Sequence, residues 1–159
     1  MLSHEEKRAL YDYERWLSGR FHKQAVVLDP PYLLQELQKL NAHLAQVDVY
    51  RMNKQLLHQY LLFLFSDDKI GIIQLKADAG TRRSIVAGGL NAALLLPFYY
   101  SKAVLKRLLQ IADDAEEAQL LHTALQRLER EACWQKLFPW LVTGVVLLLC
   151  IAMYLFGRH

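Results

Sequence analysis

The sequence predicts a mainly α-helical protein, a compact cytoplasmic helical bundle followed by one C-terminal transmembrane helix. Three observations carry this. Leu137 to Phe156, LFPWLVTGVVLLLCIAMYLF, is an uncharged run of 20 residues, and as a helix it spans about 30 Å, the thickness of the hydrocarbon layer of a bilayer. Upstream, apolar residues recur at steps of three and four between capping residues, the pattern of amphipathic helices. Of the 159 residues, 53% are hydrophobic and 22% charged, too apolar for a disordered chain and too charged for a polytopic membrane protein. The expected domains are 1–136, a cytoplasmic helical interaction domain, 137–156, the transmembrane helix, and 157–159, a short extracytoplasmic tail.

Taken in order, Ser3-His4-Glu5-Glu6 matches a capping box, and Leu10, Tyr13, Trp16 and Leu17 follow at helical spacing, with Gly19 as the expected stop. Lys23 to Leu28 reads as a lone strand or a packed loop. Asp29-Pro30-Pro31 announces a second helix, with Asp29 as N-cap and proline in the first turn. Leu33, Leu37, Leu40, Leu44 and Val47 form its narrow hydrophobic seam, and Val47-Asp48-Val49 predicts a break. Leu56 to Phe65 is apolar nearly all round and is expected to be buried. Lys69 to Ala77 fits a helix capped by Asp67. It also fits a strand, and a short β hairpin over 69–86 closed by Asp78-Ala79-Gly80-Thr81 is the alternative; helix is the preferred reading.

Ser84 to Tyr100 is a second apolar run, broken by Gly88, Gly89, Asn91 and Pro97 and short for a span, so it predicts a buried or membrane-hugging segment. Ser101 opens a further helix with Val104, Leu105, Leu108 and Leu109. Asp113-Asp114-Ala115-Glu116 looks like a fresh helix start, its acids favourable at the positive end of the dipole. Ala118, Leu121, Leu125, Leu128 and Ala132 share one face of the last helix, which is expected to run almost straight into the membrane segment.

The membrane segment carries its own signals. Trp134, Phe138 and Trp140 stand at one end and Tyr154 and Phe156 at the other, as interface anchors, with Lys136 and Arg158 just outside. Pro139 is expected in the first turn, where its missing N–H costs nothing. The N-terminus MLSHEEKRAL has no apolar signal region. Arg127, Arg130 and Lys136 on the near side against Arg158 beyond place the bundle in the cytoplasm, with a bacterial inner membrane favoured. Gly144 has no small residue four positions away, so no GxxxG dimer is indicated. Cys133 and Cys150 then face cytosol and lipid and form no disulfide.

Charge is segregated. Residues 69–107 hold seven Lys and Arg against the single acid Asp78, whereas residues 108–131 hold six acids against Arg127 and Arg130. The basic block is read as a lipid-headgroup patch, as one of two complementary internal faces, or as plain solvated surface. Arg82, Arg83, Lys102, Lys106 and Arg107 are its candidate partner or lipid contacts. No GxxxxGK[ST], GxGxxG, HExxH, GxSxG or CxxC occurs, and the six histidines never pair at metal-ligand spacing. His58 is expected as a hydrogen-bonded core histidine. No catalytic constellation, metal or cofactor is therefore predicted, and the net charge of +3 demands no nucleic acid. The expected function is a scaffold, assembly or regulatory subunit that meets membrane proteins at a bilayer, as in a secretion or pilus machine. The alternatives are a membrane-bound enzyme or lipid-handling protein using the basic 82–107 region, and a tail-anchored regulator of a eukaryotic organelle membrane.

Overall fold

In a computed structural model, which describes residues 3–21 and 29–157, the chain forms seven helices among the described residues and no strand. They are α1 (His4–Phe21), α2 (Pro30–Leu44), α3 (Lys54–Leu64), α4 (Asp67–Lys76), α5 (Ala79–Ala93), α6 (Phe98–Ile111) and α7 (Ala115–Phe156). Lys23 to Leu28 lies outside the described residues, as does the anchor residue Arg158. The mainly α fold is as the sequence predicts. The 69–86 hairpin does not form: both of its arms are helical, in α4 and α5.

Local chemistry sets the ends. The capping box is made in full, with the Ser3 N–H donating to Glu6 Oε2 at 2.8 Å and the Glu6 N–H to Ser3 Oγ at 3.2 Å. Gly19 does not stop α1, which continues to Phe21; no glycine among the described residues adopts positive φ, so the left-handed cap that glycine favours is never used. α2 ends at Leu44, and the chain turns where Val47-Asp48-Val49 predicts a break. Asp48 Oδ1 accepts from the Tyr50 N–H at 3.0 Å there, and Asn53 caps α3 by accepting from the Leu56 N–H at 3.1 Å. Ser66, not Asp67, holds the N-cap position of α4. α6 begins at Phe98, three residues before Ser101, because Pro97 with its fixed φ supplies the entry and Ser101 lies buried inside the helix.

Contacts divide the chain into two units, Met1–Thr123 and Ala124–His159. In the first, α5 is central, packing against α2, α6 and α3, while α1 lies on α2 and α3 and α4 on α2 and α6. The predicted seam is buried at Leu33, Leu37, Leu40, Leu44 and, just beyond α2, Val47, and the core also takes in Leu57, Leu61 and Leu64 of α3, Ile85 of α5 and Leu105 and Leu108 of α6. Two polar groups enter it with partners. The Tyr60 hydroxyl donates to Glu36 Oε2 at 3.1 Å, and Arg20 pairs with the same carboxylate at 3.4 Å, so this buried acid is answered from α1 and α3. Burial, then Glu36, pushes the Tyr60 hydroxyl well above the usual phenol range.

The second unit is the remainder of α7. The sequence expects the last helix to run straight into the apolar stretch, and α7 is continuous from Ala115 to Phe156. Pro139 therefore sits inside the helix, not in a first turn, and no proline N–H is available to the carbonyl four residues back. Four residues on, Thr143 Oγ1 donates to the Pro139 carbonyl at 2.8 Å, so the one hydroxyl before Tyr154 in the apolar stretch is satisfied within the helix. The apolar window of α7 is not buried against protein at all. A core helix of a soluble protein would be covered; this one is long and apolar enough to cross a membrane and stands bare.

Candidate functional site

The segregated charges meet. Arg82 and Arg83 start α5, and Asp113, Asp114 and Glu117 surround the start of α7. Arg82 Nη1 pairs with Asp113 Oδ2 at 2.8 Å, while its Nη2 and Nε donate to the carbonyls of Gln74 at 2.7 Å and Ala77 at 3.1 Å. One guanidinium thus closes the C-terminal end of α4 and fixes the loop before α7, which is work for a planar fork with several donors. Its side chain is 18% exposed. Arg83 Nη2 pairs with Asp114 at 2.8 Å and its Nε with Glu117 at 3.1 Å. Glu117, then Asp114, raises the already high pKa of this arginine.

Arg107 turns inward as well, its Nη1 donating to the Leu62 carbonyl at 2.9 Å and the Phe65 carbonyl at 3.0 Å, at the C-terminal end of α3. A cation there satisfies carbonyls that have no helical partner and lies at the negative end of the dipole. Lys102 and Lys106 stand apart from this arrangement. The Lys102 ammonium lies 5.5 Å from the centre of the Phe98 ring, and Lys106 is exposed. Of the five basic candidates, then, the structure brings Arg82 and Arg83 together with acids, gives Arg107 to the packing of α3 on α6, and sets the half-buried Lys102 over the Phe98 ring and Lys106 at the surface of α6. The interface anchors Trp134, Lys136, Phe138, Trp140, Tyr154 and Phe156 are all exposed along α7.

Beside the Arg83 clasp runs a groove of about 290 Å³ between α5 and the first turns of α7. Val86, Ala87 and Leu90 form one wall and Leu120 and Leu121 the other, with the exposed Arg83 and Glu116 and the buried Glu117 completing the lining. Leu121 is fully buried, whereas Leu120 is 64% exposed. The sequence reading takes Leu121 for the core face and passes over Leu120; adjacent leucines on one helix point about 100° apart, so one of them had to face outward.

His58 differs from expectation. Its Nδ1 is buried and has no hydrogen-bond partner, and the ring instead stacks on Tyr100 with centroids 4.3 Å apart. Burial, then the charge of Arg107, holds its pKa below the ordinary value of 6.5. Among the described residues no three His, Cys, Asp or Glu side chains gather as metal ligands.

Fold and site together define an α-helical bundle joined to a single helix able to cross a membrane, with an internal charge clasp and an apolar groove rather than a cleft of titrating groups. Comparisons with protein-family profiles, with curated proteins and with solved structures find no similar protein.

Proposed function

We propose that the chain is an interaction subunit held on a membrane by α7, crossing it once, with the helical bundle in the cytoplasm as the part that meets other membrane proteins. The observation that carries this reading is the bare apolar stretch of α7, continuous with a folded bundle that displays an open apolar groove. Orientation follows from Arg127, Arg130 and Lys136 on the bundle side of the stretch. Confinement to a surface raises the effective concentration of partners in the same bilayer, so a modest docking face suffices to assemble a complex.

The groove of Leu120, Leu90 and Val86, rimmed by Arg83 and Glu116, is the docking face in this proposal: an apolar helix laid against it covers Leu120 and meets charge of both signs at the mouth. Arg82 fixes the loop before α7 next to this face, whereas Arg107 serves the end of α3 and Lys102 and Lys106 belong to α6, outside the lining of the groove. The test is co-purification in mild detergent with and without Leu120→Asp, using Tyr50→Asp as the control at a residue that is 92% exposed. The proposal expects a stoichiometric membrane protein that is lost only with Leu120→Asp while helical content is unchanged. A partner retained equally by both variants, or a lone chain that turns over a lipid or nucleotide, contradicts it.

A further inference from the structure

The groove between α5 and the first turns of α7 carries a net charge, and its two ends differ. The contact of Arg83 Nε with Glu117 at 3.1 Å joins the early turns of both helices, so the charged residues gather at one end. Val86, Leu90, Leu120 and Leu121 continue along the two helices away from it as an apolar run. Around the charged end Asp113, Asp114, Glu116 and Glu117 stand against Arg82 and Arg83. Four acids against two arginines leave a surplus of two negative charges. The positive ends of α5 and α7 return only about half a charge each, so this end stays negative. Both guanidiniums are engaged within it: Arg82 is paired with Asp113, and Arg83 is divided between Asp114 and Glu117. Glu116, by contrast, lies exposed in the lining.

We infer that the groove takes a basic amphipathic helix: two apolar side chains one turn apart enter between Leu90 and Leu120, and a lysine or arginine about a turn further on meets Glu116. This rests on the docking reading above and names the chemistry of the partner. The occupant is a helix because α5 and α7 spend their backbone groups internally and no strand stands among the described residues, so an extended peptide finds no edge to pair with. The volume of about 290 Å³ is roughly twice the ~150 Å³ cavity that holds a benzene ring, which suits two such side chains. The cation follows from the surplus of acid. An acidic helix or an anionic headgroup is repelled there, and an uncharged helix leaves Glu116 unanswered. A second copy brings the same surplus of acid to the contact, which works against self-association through this face. An excess of Lys and Arg is also what the cytoplasmic segments of membrane proteins carry, the class of partner in the proposed function.

The test replaces Leu120 or Ala87 with the photo-reactive p-benzoylphenylalanine in the full chain, irradiates native membranes and sequences the attached peptide, with the same probe at Tyr50 as the control. The expected adduct is a segment of another protein with apolar residues at steps of three and four and more Lys and Arg than Asp and Glu. Glu116→Lys lowers its yield about fivefold and Glu116→Gln about twofold, with a smaller difference at high salt. Reversing the partner's cation to an acid in the Glu116→Lys background restores the yield, which a folding defect would not allow. An adduct with an acidic or uncharged segment, or a yield that ignores both Glu116 variants, overturns this inference while docking at the groove stands. An adduct with a second copy overturns it too. If positions 87 and 120 attach no protein above the level of the control, the docking reading itself has failed and this inference falls with it.

Discussion

Gly88 and Gly89 are neighbours in α5, yet the same substitution at each should have opposite effects. A methyl group on Gly88 makes ordinary contacts, 3.5 Å from Leu37 Cβ and 3.5 Å from Asn41 Nδ2. Gly88→Ala therefore gains most of the ~1 kcal/mol by which alanine exceeds glycine in a helix interior. On Gly89 the same methyl falls 2.8 Å from Leu108 Cδ2 and 2.9 Å from Phe65 Cζ, closer than carbon atoms approach. Both are side-chain tips, but Leu108 and Phe65 are wholly buried, so a displaced tip must move other core atoms. Overpacking of this kind costs about 1–3 kcal/mol, against the same ~1 kcal/mol of helix propensity, and leaves Gly89→Ala destabilised by roughly 1 kcal/mol. The two variants should thus straddle the parent and differ by about 2 kcal/mol. Denaturant titration of the full chain in micelles, followed by far-ultraviolet circular dichroism at fixed detergent, reads the difference. Equal stabilisation by both substitutions would refute the close approach of α5 to α6 and to the end of α3.

Two further predictions concern half-buried polar groups. Arg107→Met removes the donor of two hydrogen bonds to carbonyls at the end of α3, and the same titration should show a loss of roughly 1.5–3 kcal/mol, with Arg107→Lys recovering only part; no loss means that water serves those carbonyls as well. The folded-state pKa of His58 lies below 6.5, so the fold prefers the neutral ring. Above pH 6.5 this group contributes fully; as pH falls below 6.5 the unfolded chain takes up a proton that the fold resists, and stability declines until folded His58 itself protonates. His58→Gln should flatten that part of the decline, measured as the denaturation midpoint between about pH 7 and pH 5.

Sequence patterning made the helices legible where one signal dominates: the α2 seam, the Ser3 capping box and the apolar stretch of α7 are local and periodic. What it misjudged were stop and start signals that depend on three-dimensional context. Gly19 and Pro139 are helix breakers by propensity, yet the former keeps helical φ at an exposed position and the latter is carried by a helix that extends on both sides. Ser101 looked like a cap but belongs to the core, because Pro97 had already begun the helix. The charge segregation was visible as composition, and complementary internal faces were among its readings. The particular pairs Arg82–Asp113 and Arg83–Asp114, each 31 residues apart, and the capping of α3 by Arg107 across more than 40 residues depend on tertiary approach that no local pattern encodes.

Membrane crossing by α7 is tested most directly through its native cysteines. Cys133 is exposed just before the apolar stretch and Cys150 lies within it. Intact cells and lysed cells are treated with a membrane-impermeant maleimide, comparing the parent with Arg158→Cys. If α7 crosses once with the bundle in the cytoplasm, Cys133 reacts only after lysis, Cys150 stays unreactive until detergent is added, and Arg158→Cys reacts in intact cells. Labelling of Cys133 in intact cells with Arg158→Cys protected would reverse the orientation. Free reaction of Cys150 in detergent-free lysate would contradict the span.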